Sequence, residues 1–386
     1  MALEHAVLRT VQGVEEVANR PVPGEQMPEE LSTSHLRTRL LQLVALLVIV
    51  AVAIWLTPGL GSLRQRLGHA NAGWLVFAAV AELLSALSYV VVFRYVFCAR
   101  MSWRLSYQIG MAEQAANSLL PAGGAGGLAL GAWALSKGGM KAEHIARRTV
   151  AFFILTSLPN FVALILFAIG FAGGLLTGNT SPVFTYCFAG AAAIAIVLIL
   201  AVPRLRARLA ARRDPNRKRG RTHRWASKGI DVLADGVLDV RWLLRDRPAG
   251  VLSGAIGYMV FDIVAIGACF EAFGYFPPLG VLVVAYLIGQ LGGLLPLPGG
   301  IGGIELGLVG SFAVFNVPVS ASAAAVLAYR VLQLWIPAIL GTLAFVQLRD
   351  LLHGKQQDAA TMCEPLAEPI EVELQPRETV SRPVSA

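Results

Sequence analysis

The stretch "LLPLPGGIGGIELG", from Leu294 to Gly307, decides how this chain can fold. It lies in a strongly apolar part of the sequence, yet it contains two prolines, five glycines and a glutamate. Proline and glycine are the residues that a continuous α-helix tolerates least, and a carboxylate is costly among lipid tails. The stretch therefore predicts a helix that breaks within an apolar region.

The composition indicates an integral membrane protein. Of 386 residues, 56% are hydrophobic and only 15% are charged, which is more apolar than an ordinary soluble chain. A membrane-spanning helix needs about 20 apolar residues. The runs that approach or exceed this length are 40–57, 73–97, 149–173, 182–203, 249–273 and 323–347. We therefore predict an all-α, multi-pass helical bundle.

The positive charge is concentrated in the segment 204–247, which holds fourteen Lys and Arg residues against five Asp. The positive-inside rule makes this segment cytoplasmic, and with it both termini. It either only sets the topology, or it also contacts the anionic inner leaflet through an approximately helical apolar face in 225–244. A short loop between two spans is poorly suited to nucleic acid, so no nucleic-acid partner is expected.

Metal and histidine chemistry are not expected within the membrane. The four cysteines form no C-x-x-C pair, and all six histidines fall in tails or loops. Zinc sites and histidine-based catalytic centres need such residues in clusters. We therefore expect no metal, no cofactor and no catalytic set.

Two apolar segments are predicted to enter the membrane and return to the same side. Counting spans from the cytoplasmic segment 204–247 places both ends of 106–136 on the cytoplasmic side and both ends of 280–314 outside. Each is broken by Pro and Gly near its middle. We therefore predict two re-entrant helical hairpins that open from opposite sides of the membrane.

The two hairpins also resemble each other. An ungapped alignment of Glu113–Gly131 with Gly289–Gly307 gives identity at eight of nineteen positions. The identical pairs are Gln114/Gln290, Leu119/Leu295, Gly123/Gly299, Gly124/Gly300, Gly126/Gly302, Gly127/Gly303, Leu130/Leu306 and Gly131/Gly307. Each repeat is span, hairpin, span, over 73–173 and 249–347. The single span 182–203 between them inverts the second repeat, as in many membrane carriers.

Five ionisable residues fall within the predicted membrane segments: Glu82, Glu113, Asp262, Glu305 and Arg330. Each costs roughly 2.5–3.5 kcal/mol at the bilayer centre, so each is a functional candidate. We assign Glu82, Asp262 and Glu113 to coupling or charge balance. For Glu82 a structural, hydrogen-bonded carboxyl is the alternative to proton coupling.

Arg330 and Gln333 are three residues apart and share a helix face. One interpretation is that Arg330 pairs with Glu305 or Asp262 and holds the second hairpin in place. The other is that its planar, permanently charged guanidinium binds an anionic substrate group. The two coexist if the pair opens when substrate enters.

The glycines of the second hairpin are candidate substrate-binding positions. They permit positive φ and close approach, and the helix that follows them exposes N–H groups that favour an anion. A carboxylate at Glu305 also suits the first turn of that helix. The glycine candidates are Gly299, Gly300, Gly302 and Gly303, with Gly123 and Gly124 in the first hairpin. No strand precedes them and no G-K-[ST] follows, so a nucleotide loop is excluded.

Three amide side chains complete the candidate site: Gln114, Asn117 and Gln290. They either bind the oxygens of a lipid head group or satisfy the backbone groups that the helix breaks leave open, which need partners inside a membrane.

Three stretches together resemble a known family: "NSLLPAGGAGGLALG" (117–131), "LLPLPGGIGGIELG" (294–307) and "AYRVLQLWIPAILG" (328–341). They are similar to the lysylphosphatidylglycerol synthase transmembrane region, or flippase-like membrane domain, over roughly 40–349. The resemblance implies movement of a polar lipid between leaflets. The first motif has Ala129 at the position of Glu305, so a symmetric two-carboxylate mechanism is not implied.

In the best-known members of that family a soluble aminoacyl-transferase domain follows the membrane domain. Here only 37 residues, rich in Pro, Glu, Gln, Ser and Thr, follow the last span, so we expect no synthase activity. The expected organisation is a disordered cytoplasmic tail, a flippase-like domain and a second disordered tail. Their bounds are 1–39, 40–349 and 350–386.

The expected function is translocation of a polar or anionic lipid, of phospholipid or polyprenyl-phosphate type, across the cell membrane by alternating access. Two alternatives remain open at this stage. One is an ion-coupled solute transporter, and the other is a non-catalytic membrane partner of a separate glycosyl- or aminoacyl-transferase.

Overall fold

A computed structural model describes Gly68 and residues 70–119, 125–176, 182–211, 221–294 and 302–354. Three predicted features lie outside these residues: the tail 1–39, the span 40–57 and the tips of both hairpins. So does the predicted tail 350–386, except that its first residues continue the last helix to Gly354.

The described residues form ten α-helices and one short 3₁₀ helix, and no strand occurs among them. The α-helices are α1 Ala72–Phe97, α2 Trp103–Leu119, α3 Ala125–Lys137, α4 Ala142–Ala172, α5 Pro182–Ala211, α6 Arg221–Asp246, α7 Pro248–Ala272, α8 Leu279–Gly289, α9 Gly303–Val314 and α10 Val319–Gly354. The 3₁₀ helix, Gln290–Leu294, follows α8 directly.

Five helices, α1, α4, α5, α7 and α10, are long and apolar enough to cross a membrane. They confirm five of the six predicted spans. The helices are longer than the apolar runs: α4 begins at Ala142 and not at residue 149, and α10 ends at Gly354 and not at residue 347. An apolar run marks only the part of a helix that lies within the hydrocarbon layer. The hydrogen bonds of the helix continue beyond that layer.

The two predicted hairpins are pairs of helices whose arms touch. A Cβ built on Gly131 in α3 would lie 3.1 Å from a carboxyl oxygen of Glu113 in α2, and one on Gly307 in α9 would clash with the carbonyl oxygen of Gly289 in α8. Glu113 aligns with Gly289, and Gly131 with Gly307. The arms of both hairpins therefore meet at equivalent positions.

The first helices of the two predicted repeats, α1 and α7, pack against each other. A Cβ on Gly254 in α7 would lie 2.7 Å from Val92 Cγ2 and 2.8 Å from Val92 N in α1. The arm α2 packs on α10, where a Cβ on Gly341 would clash with the carbonyl oxygen of Met111. Helices that approach this closely leave space for glycine only.

Apolar side chains also cover the outside of the bundle. The largest buried core joins α7, α8, α9 and α10, with Phe270 and Phe312 fully buried. Outward-facing apolar residues on α1, α4, α5 and α10 include Val76, Leu166, Ile169, Ile194, Val197, Leu198 and Leu343. Such a surface would be an aggregation liability in water, whereas lipid requires it.

The segment 204–247 is mostly helix and not loop, because α5 continues to Ala211 and α6 begins at Arg221. The predicted apolar face exists, and part of it packs against the bundle. Val237, Val240 and Leu243 are buried, and the last two belong to the core that includes Ile145 of α4. The bundle therefore covers part of the amphipathic helix α6, while Leu238 and Trp242 stay exposed.

Substituting Gly254 tests the packing of α1 on α7. In Gly254→Ala the new methyl meets the Val92 backbone, which cannot move aside as a side-chain tip could. We expect the free energy of unfolding in detergent to fall by about 1–3 kcal/mol. Gly190→Ala in α5 is the control, because nothing lies within 4 Å of its Cβ position. It should leave stability unchanged or raise it, since Ala favours helix, and equal losses in both variants would contradict the packing.

Candidate functional site

Arg330 is a buried cation with partners on two helices. Its side chain is only 6% exposed. Its Nε donates to Glu305 Oε1 of α9 at 2.8 Å, and one terminal nitrogen donates to Gln333 Oε1, one turn along α10, at 2.5 Å. The predicted shared face of Arg330 and Gln333 is therefore present, and Glu305 is the carboxylate that meets the arginine.

Glu305 also begins helix α9. Its second oxygen, Oε2, accepts the Gly302 N–H at 2.6 Å, which satisfies one of the open donors at a helix start. Gly302 has a φ of 88°, which confirms the predicted positive φ at the break, and Gly303 is the first helical residue. The candidates Gly299 and Gly300 lie outside the described residues. One carboxylate thus serves both the helix start and the arginine.

A proline lies close to this site within α10. Pro337 has no N–H, so the carbonyl oxygen of Gln333, four residues earlier, lacks its usual helical donor. Helices bend most readily at such positions. Gln333, which contacts Arg330, therefore lies one turn before the proline and leaves one helical hydrogen bond of α10 unmade.

A pair of buried carboxyl groups joins α1 to α7. Glu82 and Asp262 are 4% and 6% exposed, and their carboxyl groups lie close enough to interact with each other. Asp262 also accepts from two tyrosines: Tyr329 of α10 donates to Oδ1 at 2.7 Å, and Tyr286 of α8 donates to Oδ2.

Tyr329 connects the carboxyl pair to the arginine. It precedes Arg330 in α10, and its hydroxyl also accepts from Gln290 Nε2 at 3.1 Å. These contacts bring six of the candidate residues into one connected region: Glu82, Asp262, Gln290, Glu305, Gln333 and Arg330. Sequence reasoning missed Tyr286 and Tyr329. Both tyrosines lie in strongly apolar helices, and the sequence carries no signal that marks them.

The candidates of the first hairpin join its two arms and attach the first arm to α1. Asn117 Oδ1 accepts the Gly127 N–H of the other arm at 2.9 Å, and Gln114 Nε2 donates to the Ala86 carbonyl at 3.2 Å. The carboxyl group of Glu113 lies close to the Tyr89 hydroxyl. For both amides the contacts favour the second interpretation, that of satisfying backbone groups. Gly123 and Gly124 lie outside the described residues.

The connected region combines a charge pair, Arg330 with Glu305, with two tyrosine hydroxyls that donate to Asp262. A guanidinium that holds a carboxylate has the geometry to hold a phosphate oxygen instead. Movement of Glu305 would release Arg330 Nε and the Gly302 N–H together, which gives two donors for one anion. Within the parts of the chain that the structure describes, no group of three or more His, Cys, Asp and Glu side chains is placed to hold a metal ion.

A known family matches most of this chain, and two curated relatives match about a quarter of it. The family described as "Lysylphosphatidylglycerol synthase TM region" matches residues 42–341. A UPF0104 membrane protein of Methanothermobacter thermautotrophicus is 34% identical over 103 residues, 26% of this chain and 28% of that protein. Another UPF0104 membrane protein, from Methanocaldococcus jannaschii, is 31% identical over 98 residues, 25% of this chain and 29% of that one. The chain thus matches less than a third of the length of these curated relatives.

A double-mutant cycle tests whether Arg330 and Glu305 stabilise the fold as a pair. Arg330→Gln leaves a buried carboxylate without its cation, and Glu305→Gln leaves a buried cation. We expect each to lower the free energy of unfolding in detergent by about 3–5 kcal/mol. The double variant should lose less than the sum, with a coupling of about 1–3 kcal/mol.

The control for this cycle is Arg241→Gln on the exposed side of α6, which should change stability by less than about 0.5 kcal/mol. Strictly additive losses in the cycle would show that the two side chains act independently.

Proposed function

Because the chain belongs to the lysylphosphatidylglycerol synthase transmembrane-region family, we propose that it moves a polar or anionic lipid between the leaflets of the cell membrane. The lipid is of phospholipid or polyprenyl-phosphate type, and the protein transports it without catalysing its synthesis. The five helices of membrane-spanning length and the lipid-related family support this assignment.

The observation that carries the proposal is the buried Arg330 with its exchangeable partner Glu305. The pair lies where a broken helix begins, and the side chain of Glu305 is 21% exposed, against 6% for Arg330. A lipid phosphate that displaced Glu305 would gain Arg330 and the Gly302 N–H, both of which favour an anion. Substrate binding would thereby release α9 from α10 and couple binding to hairpin movement.

The proposed movement is alternating access between two inverted repeats. It is supported by the equivalent arm contacts of the two hairpins, Gly131 on Glu113 and Gly307 on Gly289, and by the packing of α1 on α7. In this proposal the hairpins are re-entrant and open to opposite sides, the segment 204–247 faces the cytoplasm, and both termini are cytoplasmic. Such repeats rock around a site near the midplane in other carriers.

Reconstitution in liposomes tests the proposal. Head-group-labelled phosphatidylglycerol, phosphatidylcholine and a polyprenyl phosphate are placed in separate preparations, and loss of label to an impermeant quencher reports transfer between leaflets. We expect an anionic lipid to change leaflet faster than in protein-free liposomes. Arg330→Gln should slow this transfer at least about tenfold, the effect of losing a charged hydrogen bond, whereas Arg241→Gln should not.

No acceleration for any of the three lipids would contradict the translocase function. So would a rate for Arg330→Gln equal to that of the unchanged chain, provided that both proteins are reconstituted in equal amount and orientation.

A further inference from the structure

A second group of buried charges lies where α4 meets α6, away from Arg330. Arg147 and Arg148 belong to the second turn of α4, and Asp239 lies on α6. The Nε atoms of the two arginines lie 3.3 Å and 3.4 Å from the same oxygen, Asp239 Oδ2. Two cations therefore share one carboxylate oxygen.

Arg148 is the less satisfied of the two. Its side chain is only 6% exposed, and its Nη1 is buried with no hydrogen-bond partner among the described residues. A guanidinium has five N–H donors, and a buried cation without adequate compensation is strongly destabilising. Burial also raises the pKa of Asp239 above its ordinary value, against the opposing effect of Arg148 and Arg147.

A third arginine and a tryptophan complete the group. The Cζ atoms of Arg148 and Arg247 lie 5.1 Å and 5.6 Å from the ring centroid of Trp242. Arg247 also pairs with Asp246 at 3.2 Å. Three arginines thus face two aspartates, and His144 Nδ1, 3.3 Å from a terminal nitrogen of Arg147, adds no negative charge. Asp235 is not available, because it pairs with Arg206.

The position of this group suits the surface of a membrane. Arg147 and Arg148 stand at the polar beginning of α4, immediately before its apolar part. Trp242 is 39% exposed and Leu238 is 41% exposed on the neighbouring α6, so an aromatic and an apolar side chain are open beside the arginines. Tryptophan is enriched at the level of lipid head groups, and phosphates are the anions found at that depth.

We propose that Arg147, Arg148 and Arg247 form a binding site for the phosphate of an anionic membrane lipid, with Trp242 against the adjoining part of that lipid. Asp239 occupies the site when no lipid is bound. The bound lipid supplies the missing counter-charge and holds α6 to α4. This site is separate from Arg330 and does not depend on lipid translocation.

The proposal predicts opposite effects for the arginines and the aspartate. Removing an arginine removes donors for the phosphate and weakens binding. Removing the Asp239 carboxylate leaves the same arginines without their internal competitor and strengthens binding. A purely structural ion-pair cluster would give destabilised variants in both cases, with no change in lipid preference.

The test uses the full chain purified in a neutral detergent. Its thermal unfolding midpoint is followed during titration with short-chain phosphatidylglycerol, short-chain phosphatidylcholine or inorganic phosphate. A ligand that binds the folded state stabilises it by RT ln(1 + [L]/Kd), so the midpoint rises with ligand concentration and rises more for a tighter ligand. We expect phosphatidylglycerol to raise it more than either of the other two.

Variants then locate the binding. Arg148→Gln and Arg147→Gln should each weaken the apparent affinity for phosphatidylglycerol about tenfold, the effect of one charge-assisted hydrogen bond. Asp239→Asn should strengthen that affinity while lowering the lipid-free midpoint. Arg241→Gln, which removes the same charge from the exposed side of α6, should keep the affinity of the unchanged chain.

The proposal would be overturned if phosphatidylglycerol and phosphatidylcholine raised the unfolding midpoint equally. It would also be overturned if Arg147→Gln and Arg148→Gln kept the affinity for phosphatidylglycerol, or if Asp239→Asn weakened it. Equal stabilisation by inorganic phosphate and phosphatidylglycerol would assign the site to a free phosphate and contradict a lipid. If Arg148→Gln does not fold, Arg147→Gln and Asp239→Asn decide the question. Failure of the leaflet-transfer assay would leave all of these results unchanged.

Discussion

The contact between Arg330 and Glu305 is the interaction on which the second hairpin depends. A charged side chain among lipid tails costs free energy. Removing one partner of a buried ion pair is strongly destabilising, because it leaves the other charge buried and uncompensated. Glu305 uses both of its carboxyl oxygens as acceptors: one accepts from Arg330 Nε and the other from the Gly302 N–H. The start of α9 and its attachment to α10 are therefore a single electrostatic arrangement, and a competing anion would affect both at once.

The backbone imposes the second constraint. Every open N–H and C=O within a membrane needs a partner inside the protein, so a broken helix requires a neighbour at each break. In the first hairpin Asn117 supplies one for Gly127, and in the second Glu305 supplies one for Gly302. The Asn117 contact joins the two arms of the first hairpin, whereas Glu305 and Gly302 belong to the same arm of the second. In both hairpins a polar side chain therefore satisfies the N–H of a glycine at the start of the second arm.

Much of this arrangement could be predicted from the sequence, because it depends on local pattern. Apolar length located five membrane helices, the glycine run indicated the positive φ at Gly302, and helical spacing placed Gln333 beside Arg330. Partners chosen by tertiary packing could not be predicted. Tyr286 and Tyr329 looked like ordinary residues of apolar helices, yet both donate to Asp262. Likewise, the amphipathic pattern of α6 could not show that its apolar side packs on the bundle.

The proposed inversion of the two hairpins is the feature from which transport would follow, and cysteine accessibility tests it. Pro121→Cys and Pro298→Cys are introduced singly, and each is labelled with an impermeant reagent from one side of sealed vesicles and then from the other. Labelling of the chain without either substitution gives the background. Inverted repeats predict that Pro121→Cys reacts from the cytoplasmic side and Pro298→Cys from the outside. Reaction of both positions from the same side would contradict the inversion and, with it, alternating access between these hairpins.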